Sequence, residues 1–506
     1  MASTVLDRLI GWVNPRAGLD RVQARTAMDM IRTYEAARPR RSDDGWITPS
    51  TGPNVEVASS IVVMRNQARQ MVRDNPFAKR IIDVLQSSVI GTGIVSQPNS
   101  GNEKLDDAIQ KIWAAWANTT KCDADGRTNL YGLQALCGSA LHEAGEVLIR
   151  FRWRNKADTR KHRLPVPLQL QVIEADYLDH TMNETSLANG NFIVQGVEFD
   201  KRGRRVAYHI FTEHPGEYYR TGMAGVKPIR ISASDIVHLY EVKRPGQVRG
   251  VTCLHAAILP LRDLQDYHGA LLLKAKIEAC FTAFVRGTGS SSPLGNDAGS
   301  DRSGSRIETL EPGQINYLNG AEAVEFANPS NSDAHALLSK TFLRALGVAT
   351  GPTYDQISGD LEGANYSSLR AGKIEFRRIV EQKQWSLIIP TLCEPIWDAF
   401  VRAGAMHGLW DNDECPAEHT PPAHEMIDPG KDIAATVASV RGGLKSWPQA
   451  VREQGYNPKT MAKNIAEYNT LIDKLGLVLD TDPRKTSRTG QAQKHSGDAE
   501  SPPAEE

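Results

Sequence analysis

The sequence lacks long apolar runs, paired cysteines and an excess of charge of either sign. No stretch approaches the roughly 18 uncharged apolar residues of a membrane span. The six cysteines are scattered along 506 residues without any C-x-x-C pair, which is typical of buried thiols in a reducing compartment. Lys and Arg total 59 and Asp and Glu total 60, so the formal net charge is −1. A high-affinity clamp on duplex DNA usually carries a clear positive excess, so this chain is not expected to be one.

The composition is that of an ordinary soluble chain, with 40% hydrophobic and 24% charged residues. The length predicts roughly two to four domains. The first residues, MASTVLDRLIGWVNPRAGLDR, carry an arginine within their short apolar part and no small-residue cleavage site. This predicts a mature cytoplasmic start with a short amphipathic arm rather than a signal peptide.

Three stretches match known functional motifs in part, but none matches its motif completely. HEAGE, beginning at His142, has Glu146 where a zinc protease places its second histidine. RGGLKSW has Leu444 where a phosphate loop needs glycine directly before its lysine. VIGTGIVSQP lacks the third glycine of a dinucleotide fingerprint and predicts a turn between helix and strand, while His419 and His424 form no tight ligand pattern. The sequence therefore predicts no catalytic residue, no metal site and no cofactor.

The hydrophobic period changes twice along the chain, which predicts a mixed α+β protein. Residues 54–90 read as helix with a break near Asn75-Pro76, since a residue before proline is pushed out of the helical region. LDDAIQKIWAAWAN is a further helix, in which Leu105, Ile109, Ile112 and Trp116 are spaced to share one buried face. From about 146, EVLIRFRW, PLQLQVIEADYL, NFIVQGVEFD and RRVAYHIF are short and β-rich, and the first of them shows one basic face. Helical periods return from about 254 and again from 332, on either side of a Gly- and Ser-rich loop at 286–308.

The stretch GDLEGANYSSLRAG, residues 359–372, mixes acids with glycines ahead of a long helical pattern. Gly359 and Gly363 are expected in turns of positive φ. Asn365 or Ser367 is expected to cap the helix, and Ser332 or Asp333 an earlier one. The long helix carries an apolar stripe of Leu369, Phe376, Val380 and Leu387, and Pro390 is expected to kink or break it.

Four stretches in order resemble the portal proteins of tailed bacteriophages, of the lambda type. They are ARQMVRDNPFAKRIIDVLQSSVIGTGI, GEVLIRFRW with LQLQVIEADYLD, GDLEGANYSSLRAGKIEFRR and IDPGKDIAATVASVRGGLKS. The resemblance runs from about residue 40 to 475. It implies a ring-forming α+β fold with a helical wing, a β-rich wing subdomain, a two-helix stem, a small α/β clip and a helical crown.

Laid over the chain, that fold predicts an N-terminal arm and wing at 1–253, a stem helix at 254–279, a clip at 280–331, a second stem helix at 332–348, a hinge at 349–366, a wing helix and connection at 367–429, crown-like helices at 430–481 and a disordered tail at 482–506. In the ring, the hinge is expected to turn the chain from the stem into the wing helix.

The family implies a function and a set of partners. Its members form a ring, usually a dodecamer, at one capsid vertex of the virion, assembled in the host cytoplasm. A separate terminase motor packages double-stranded DNA through the ring, and DNA is later ejected through it. The implied partners are further copies of the chain, the terminase large subunit, the major capsid protein, the scaffold or protease, the head–tail connector proteins and passing DNA that is not held tightly. Near-zero net charge suits a channel through which DNA must slide.

Two sets of charged residues are candidates for roles in such a ring. The candidates for the DNA channel are Lys274, Lys276, Lys340, Arg344, Asp355, Asp360 and Glu362. The candidates for contact between the clip and the terminase are Asp301, Arg302, Arg306 and Glu308. Lys340 and Arg344 are four residues apart, so they share one helix face. For both sets the alternative is a solvated charge, an ion pair or a mobile loop without a partner.

Two other functional classes stay open on the sequence. One is a head-maturation protease or nuclease, supported only by HEAGE and by the carboxylates Asp355, Asp360 and Glu362. The other is a shell-forming capsid protein, against which the two stem-like helices around a clip-sized insert argue.

Overall fold

The structure, a computed structural model, describes residues 50–217, 227–287, 314–319, 323–325, 334–362, 365–424, 426, 428–479, 482 and 484–485. The chain divides into two units, Met1–Gly52 and Pro53–Glu506. Every element named here belongs to the second. No helix of the described residues combines the length and the apolar character needed to cross a membrane.

Helices precede and follow a strand-rich region between residues 146 and 240, as the sequence predicted. The helices are α1 (Pro53–Asp74), α2 (Pro76–Val89), α3 (Glu103–Ala117), α4 (Leu130–Ala144), α5 (Lys156–Lys161), α6 (Ile258–Cys280), α7 (Ala334–Thr350), α8 (Tyr354–Ser358), α9 (Tyr366–Lys383), a π-helix (Gln384–Cys393), α10 (Glu394–Met406), α11 (Pro429–Arg441), α12 (Trp447–Glu453) and α13 (Pro458–Leu475). The strands are β1 (Val95–Pro98), β2 (Glu146–Trp153), β3 (Leu168–Glu174), β4 (Phe192–Val194), β5 (Val197–Phe199), β6 (Arg205–Phe211), β7 (Pro228–Ser232), β8 (Ile236–Tyr240), β9 (Phe281–Gly287), β10 (Gln314–Asn319), β11 (Ala323–Glu325) and β12 (Ala417–Thr420).

The break between α1 and α2 lies where the sequence placed it. Asn75 leaves the helical region, with φ −113° and ψ 120°, and its side-chain oxygen accepts from the backbone N–H groups of Phe77 and Ala78 at 3.0 and 3.2 Å. Pro76 follows at the first helical position, where its missing N–H costs nothing.

Four small sheets are formed, in the strand orders β1–β12, β3–β2–β8, β4–β5–β6–β7 and β10–β9–β11. Only the β9–β10 pair is parallel among the described strands. The first and last residues of β1 and β12 pair across more than 300 residues of chain, Val95 with Thr420. Such pairings leave no local signal. The sequence predicted a strand after the turn in VIGTGIVSQP, where β1 lies, but it did not predict β7, β8 or β12.

Strand β2 separates two apolar cores. Val147, Ile149 and Phe151 face the larger core, whereas Leu148 faces a smaller one with residues of β5 and β6. The alternation follows from the two-residue period of a strand. The larger core contains an aromatic cluster in which Trp113 of α3 lies 4.8 Å, between ring centroids, from both Trp397 and Phe400 of α10.

The predicted buried face of α3 is largely confirmed. Ile109 and Trp116 are buried, and Leu105 and Ile112 are half-buried. In α9 and the following π-helix, Phe376 and Val380 of the predicted stripe are buried, and Leu369 and Leu387 are half-buried.

The sequence predicted a kink or a break at Pro390, and the long helix does not break there. It changes winding instead, and the π-helix Gln384–Cys393 carries it through the proline into α10. The wider winding is one way in which a helix absorbs a missing N–H. Within this segment Gln384 is buried, and its side-chain nitrogen donates to the Val89 carbonyl at 2.9 Å.

Several predicted boundaries need correction. The helix predicted as the first stem helix begins at Ile258, not 254, because turns fill 253–257. The helix predicted as the second runs to Thr350 instead of 348. The described part of the predicted clip holds the three strands β9, β10 and β11. The predicted hinge contains the short helix α8, and the region predicted to hold crown-like helices contains three described helices, α11, α12 and α13.

Candidate functional site

The chain after α7 reverses within a few residues. Gly351 has φ +108°, which favours glycine, and α8 follows from Thr353, whose backbone N–H donates to the Gln356 side chain at 2.9 Å. Gly359, with φ +70°, ends α8, as its predicted turn requires. Asn365 then caps α9 by accepting from the Ser368 N–H at 2.8 Å. This confirms one of the two predicted caps. Gly363, Ser332 and Asp333 lie outside the described residues.

Asp360 is the centre of a small cluster that joins this reversal to α7. The Lys340 ammonium lies 3.6 Å from its carboxylate, and the Tyr354 hydroxyl donates to the same oxygen at 2.8 Å. The Arg344 guanidinium lies 5.7 Å from the centre of the Tyr354 ring, within the range of a cation–π contact. The hydrogen bond from Tyr354, followed by that from the Glu362 N–H, holds the pKa of Asp360 below its usual range.

The structure brings together three of the seven channel candidates. Lys340, Arg344 and Asp360 meet around Tyr354, which the sequence analysis did not single out. The nearby Thr353-x-x-Gln356 spacing of a capping box was a usable signal for α8 and so for the position of this tyrosine. The shared face predicted for Lys340 and Arg344 agrees with their contacts to one short segment.

The remaining channel candidates lie outside this cluster. Lys274 and Lys276 are exposed near the end of α6, Asp355 is half-buried on α8, and Glu362 is exposed. The four clip candidates, Asp301, Arg302, Arg306 and Glu308, lie outside the described residues.

The two stem-like helices contact one another through polar and aromatic groups. His268 of α6 lies 3.1 Å from the Ser339 hydroxyl of α7, and the rings of Tyr267 and His335 are 5.7 Å apart. Both helices also present large apolar side chains to solvent in the single chain. These exposed side chains are Leu259, Leu272, Leu273, Leu337, Leu338 and Val348.

HEAGE is a structural element in this fold. His142 is buried, and its Nδ1 lies 2.7 Å from the Gly138 carbonyl oxygen. Glu146 is fully buried, and accepts from Arg249 Nε at 2.9 Å and contacts His238 Nε2 at 3.0 Å. Burial alone would raise the pKa of Glu146, but Arg249 and His238 outweigh it and lower that pKa.

The same buried network extends to α1. Arg65, only 2% exposed, lies 3.1 Å from Asp176 and 3.8 Å from Glu146. Sequence reasoning missed both Arg65 and Arg249, because charged side chains are seldom buried and no local pattern marks the exceptions.

One group of donor atoms among the described residues has the spacing of a cation site. Oxygen or nitrogen atoms of Glu174, Asp176 and His214 lie within 4.8 Å of one another. The Arg69 guanidinium already binds two of them, at 3.1 Å from Glu174 and 2.7 Å from Asp176. A guanidinium in that position satisfies the carboxylates without a metal ion.

Comparison with known proteins places the chain in a family. Residues 39–384, more than half of the chain, match the family described as phage portal protein, lambda family. The chain belongs to the lambda family of phage portal proteins. The resemblance of its four motifs to this family is thereby confirmed, and so is its α+β class.

Other portal proteins are similar over much of their length. The chain is 28% identical over 475 residues to a probable portal protein of Halomonas phage phiHAP-1, covering 90% of this chain and 89% of the relative. It is 19% identical over 362 residues to portal protein B of Escherichia phage lambda, covering 65% and 66%.

Among solved structures, the chain is similar to one from the neck of a native gene transfer agent particle computed with C12 symmetry, with TM-score 0.41 and 13% identity, covering 80% of this chain and 99% of that chain. It is also similar to an HK97-family phage portal protein from Corynebacterium diphtheriae, with TM-score 0.30 and 13% identity, covering 73% and 98%.

Proposed function

We propose that this portal protein assembles into a ring, most simply a dodecamer, at one vertex of a phage head and forms the channel for double-stranded DNA. A separate terminase motor drives the DNA inward, and the ring later holds the head–tail connector and lets DNA out. The observation that carries this proposal is the family match over residues 39–384.

Exposed apolar surface supports self-assembly. The six exposed apolar side chains of α6 and α7 lie on helices that would pack side by side in a ring. Helix α11 buries none of its described side chains, and α13 buries only Pro458 and Ile472. Surface of this kind marks an interaction site more often than a free face. Further copies of the same chain would cover it.

The cluster around Asp360 supports a channel role for the reversal after α7. Its lysine, arginine and carboxylate are held at fixed positions, and a ring would repeat them around one circle. Paired charges attract phosphate less than free lysines do, which suits a surface past which DNA slides. We infer that residues 351–362 line the passage, with α6 and α7 as the stem and β9, β10 and β11 within the clip.

The residues that supported a protease or a nuclease have other partners in the fold. His142 and Glu146 are engaged by backbone and by Arg249, so HEAGE gives a protease no ligand set. Asp360 is engaged by Lys340 and Tyr354, and neither Asp355 nor Glu362 joins it in a cluster of carboxylates. Only the form of the assembled particle distinguishes a shell-forming capsid protein from a ring-forming portal protein.

Negative-stain imaging of the purified full chain tests the proposal. Rings with a central hole are expected, and class averages would give the subunit number. Closed shells, or a metal-dependent cleavage activity in the same preparation, would contradict it.

A further inference from the structure

A strongly cationic segment runs from the end of strand β2 through helix α5 to Arg163. Residues 150–163 contain seven cationic side chains and one carboxylate, although the whole chain has a net charge of −1. The cationic residues are Arg150, Arg152, Arg154, Lys156, Arg160, Lys161 and Arg163. The segment 150–163 that carries them is called the β2 basic surface here. It contains none of the channel candidates.

The basic side chains of the β2 basic surface are not paired with acids within the described part of the chain. None of the seven forms an ion pair with a described carboxylate. Burial, followed by the neighbouring charges of Arg150 and Arg154, lowers the pKa of Arg152, although an arginine stays charged. Like charges gathered without a partner destabilise a fold by mutual repulsion, so an anionic ligand would relieve a cost that the free protein carries.

Two of the arginines are held in place by glutamines on the neighbouring strand. Arg152 Nε donates to the Gln171 side-chain oxygen at 2.8 Å, and Arg154 Nε donates to that of Gln169 at 2.9 Å. Each bond uses the inner nitrogen of a guanidinium and fixes the plane of the group. A positioned guanidinium binds phosphate or carboxylate with less loss of entropy than a free one.

The side chain of Gln169 is itself held by backbone carbonyl groups. It is 8% exposed, and its amide nitrogen donates to the carbonyl oxygens of Asp123 at 2.8 Å and Lys121 at 3.2 Å. These two bonds fix which end of the amide faces Arg154. The arrangement of arginine, glutamine and backbone carbonyls is therefore built into the fold, unlike a group of mobile surface lysines.

The make-up of the surface favours nucleic acid over protein. No large apolar side chain between residues 150 and 163 is exposed. Protein–protein interfaces have an apolar centre that is depleted in charge, whereas protein–DNA interfaces are polar and strongly positive. Alternate arginines of one strand stand in a row about 7 Å apart, a regular line of donors.

We propose that the β2 basic surface binds the phosphate backbone of duplex DNA, without sequence preference, outside the channel. The contact is of modest affinity and strongly dependent on salt, because it consists of charge without base recognition. It does not depend on the proposed ring.

The test uses the full-length protein and a fluorescent covalently closed DNA minicircle. A closed circle has no end that could enter a preformed channel, so its binding reports an outer surface. Binding is expected at 50 mM salt, with a marked loss by 200 mM. In the triple variant Arg150→Gln, Arg152→Gln, Arg154→Gln, the slope of log affinity against log salt should fall by about 3.

Two further variants separate the site from charge in general. Lys201→Gln, Arg202→Gln, Arg204→Gln removes the same charge from an exposed turn that lacks the glutamine contacts, and it should retain most of the binding. Gln171→Met keeps every charge but frees Arg152. It should weaken binding about two- to tenfold without changing the salt slope.

Three outcomes would overturn the proposal. The wild type could fail to bind the minicircle at 50 mM salt, or the two triple variants could lose binding equally. Labelled poly-glutamate of matched charge could instead bind more tightly than DNA and lose its binding in the β2 triple variant. That last outcome would assign the surface to an acidic protein.

Discussion

At the scale of single residues, Arg249 connects separate parts of the fold. It is fully buried and pairs with Glu146 of β2, while its terminal nitrogens donate to the carbonyl oxygens of Gln195 and Ala175 at 3.1 and 3.3 Å. A buried pair of this kind contributes little net stability compared with apolar packing. Removing only one of its two partners strongly destabilises the fold, because the other charge stays buried without a partner. The network therefore determines which segments contact one another more than it adds to the stability of the fold.

Replacing Arg249 alone should be strongly destabilising. Arg249→Met leaves the buried Glu146 carboxylate without its closest cation, and we expect a loss of about 3–5 kcal/mol in the free energy of unfolding. Denaturant unfolding of the full chain measures this loss. Arg73→Met, at a side chain that is 71% exposed, is the control and should change little.

The double variant Glu146→Leu, Arg249→Met gives a second check. It removes both charges, so it should be more stable than Arg249→Met alone. A double variant that is less stable than either single variant would contradict the assignment of the cost to an unpaired charge.

At the scale of elements, α13 forms exposed ion pairs with α3 and buries only two of its own side chains, Pro458 and Ile472. Lys459 lies 3.7 Å from Asp106 of α3, and Lys463 lies 3.1 Å from Asp107. Its exposed apolar residues lie on one side, at spacings of three, three and four. They are Ile465, Tyr468, Leu471 and Leu475. Exposed ion pairs contribute at most about 1 kcal/mol each and are screened by salt.

The attachment of α13 should therefore weaken with ionic strength. Hydrogen exchange of Pro458–Leu475 should accelerate in 0.5 M salt while that of α3 stays slow, because α3 buries Ile109, Trp113 and Trp116 in the larger core. Lys459→Gln, Lys463→Gln should produce the same acceleration at low salt. Lys474→Gln, at a lysine with no ion pair to a described residue, should not. Equal protection of α13 in both salts would show that packing holds it.

At the scale of the whole molecule, the proposed ring turns one local cluster into a repeated feature of the passage. Lys340, Asp360 and Tyr354 connect α7 to the reversal that follows it. Two roles for Lys340 are then distinct. It can meet passing phosphates itself, or it can hold the reversal in place through Asp360.

Variants of the two partners separate these roles. If Lys340 contacts DNA, as we expect, Lys340→Met reduces the amount of DNA packaged while rings still form, and Asp360→Asn has little effect. Packaged DNA is measured by nuclease protection, and ring formation by imaging. Equal losses in both variants would assign Lys340 a positioning role, and unchanged packaging in Lys340→Met would remove it from the passage.

Much of the architecture could be predicted from the sequence alone, since it depends on local chemistry. The helix break at Asn75-Pro76, the β-rich stretch from 146, the cap at Asn365 and the turn at Gly359 each follow from a few neighbouring residues. The order of four motifs was enough to identify the family.

Tertiary structure decided what depends on distant partners. β1 and β12 pair across more than 300 residues, and the path through Pro390 is a change of winding that the packed long helix tolerates. Glu146 stands where a zinc-protease motif has its second histidine. It is a counter-ion instead, because the fold brings Arg249 and His238 to it. Sequence periodicity reports which side of an element is buried, but only folding sets which charges are buried together. For the same reason, the alternating arginines of β2 were visible in the sequence, whereas the glutamines that hold two of them were not.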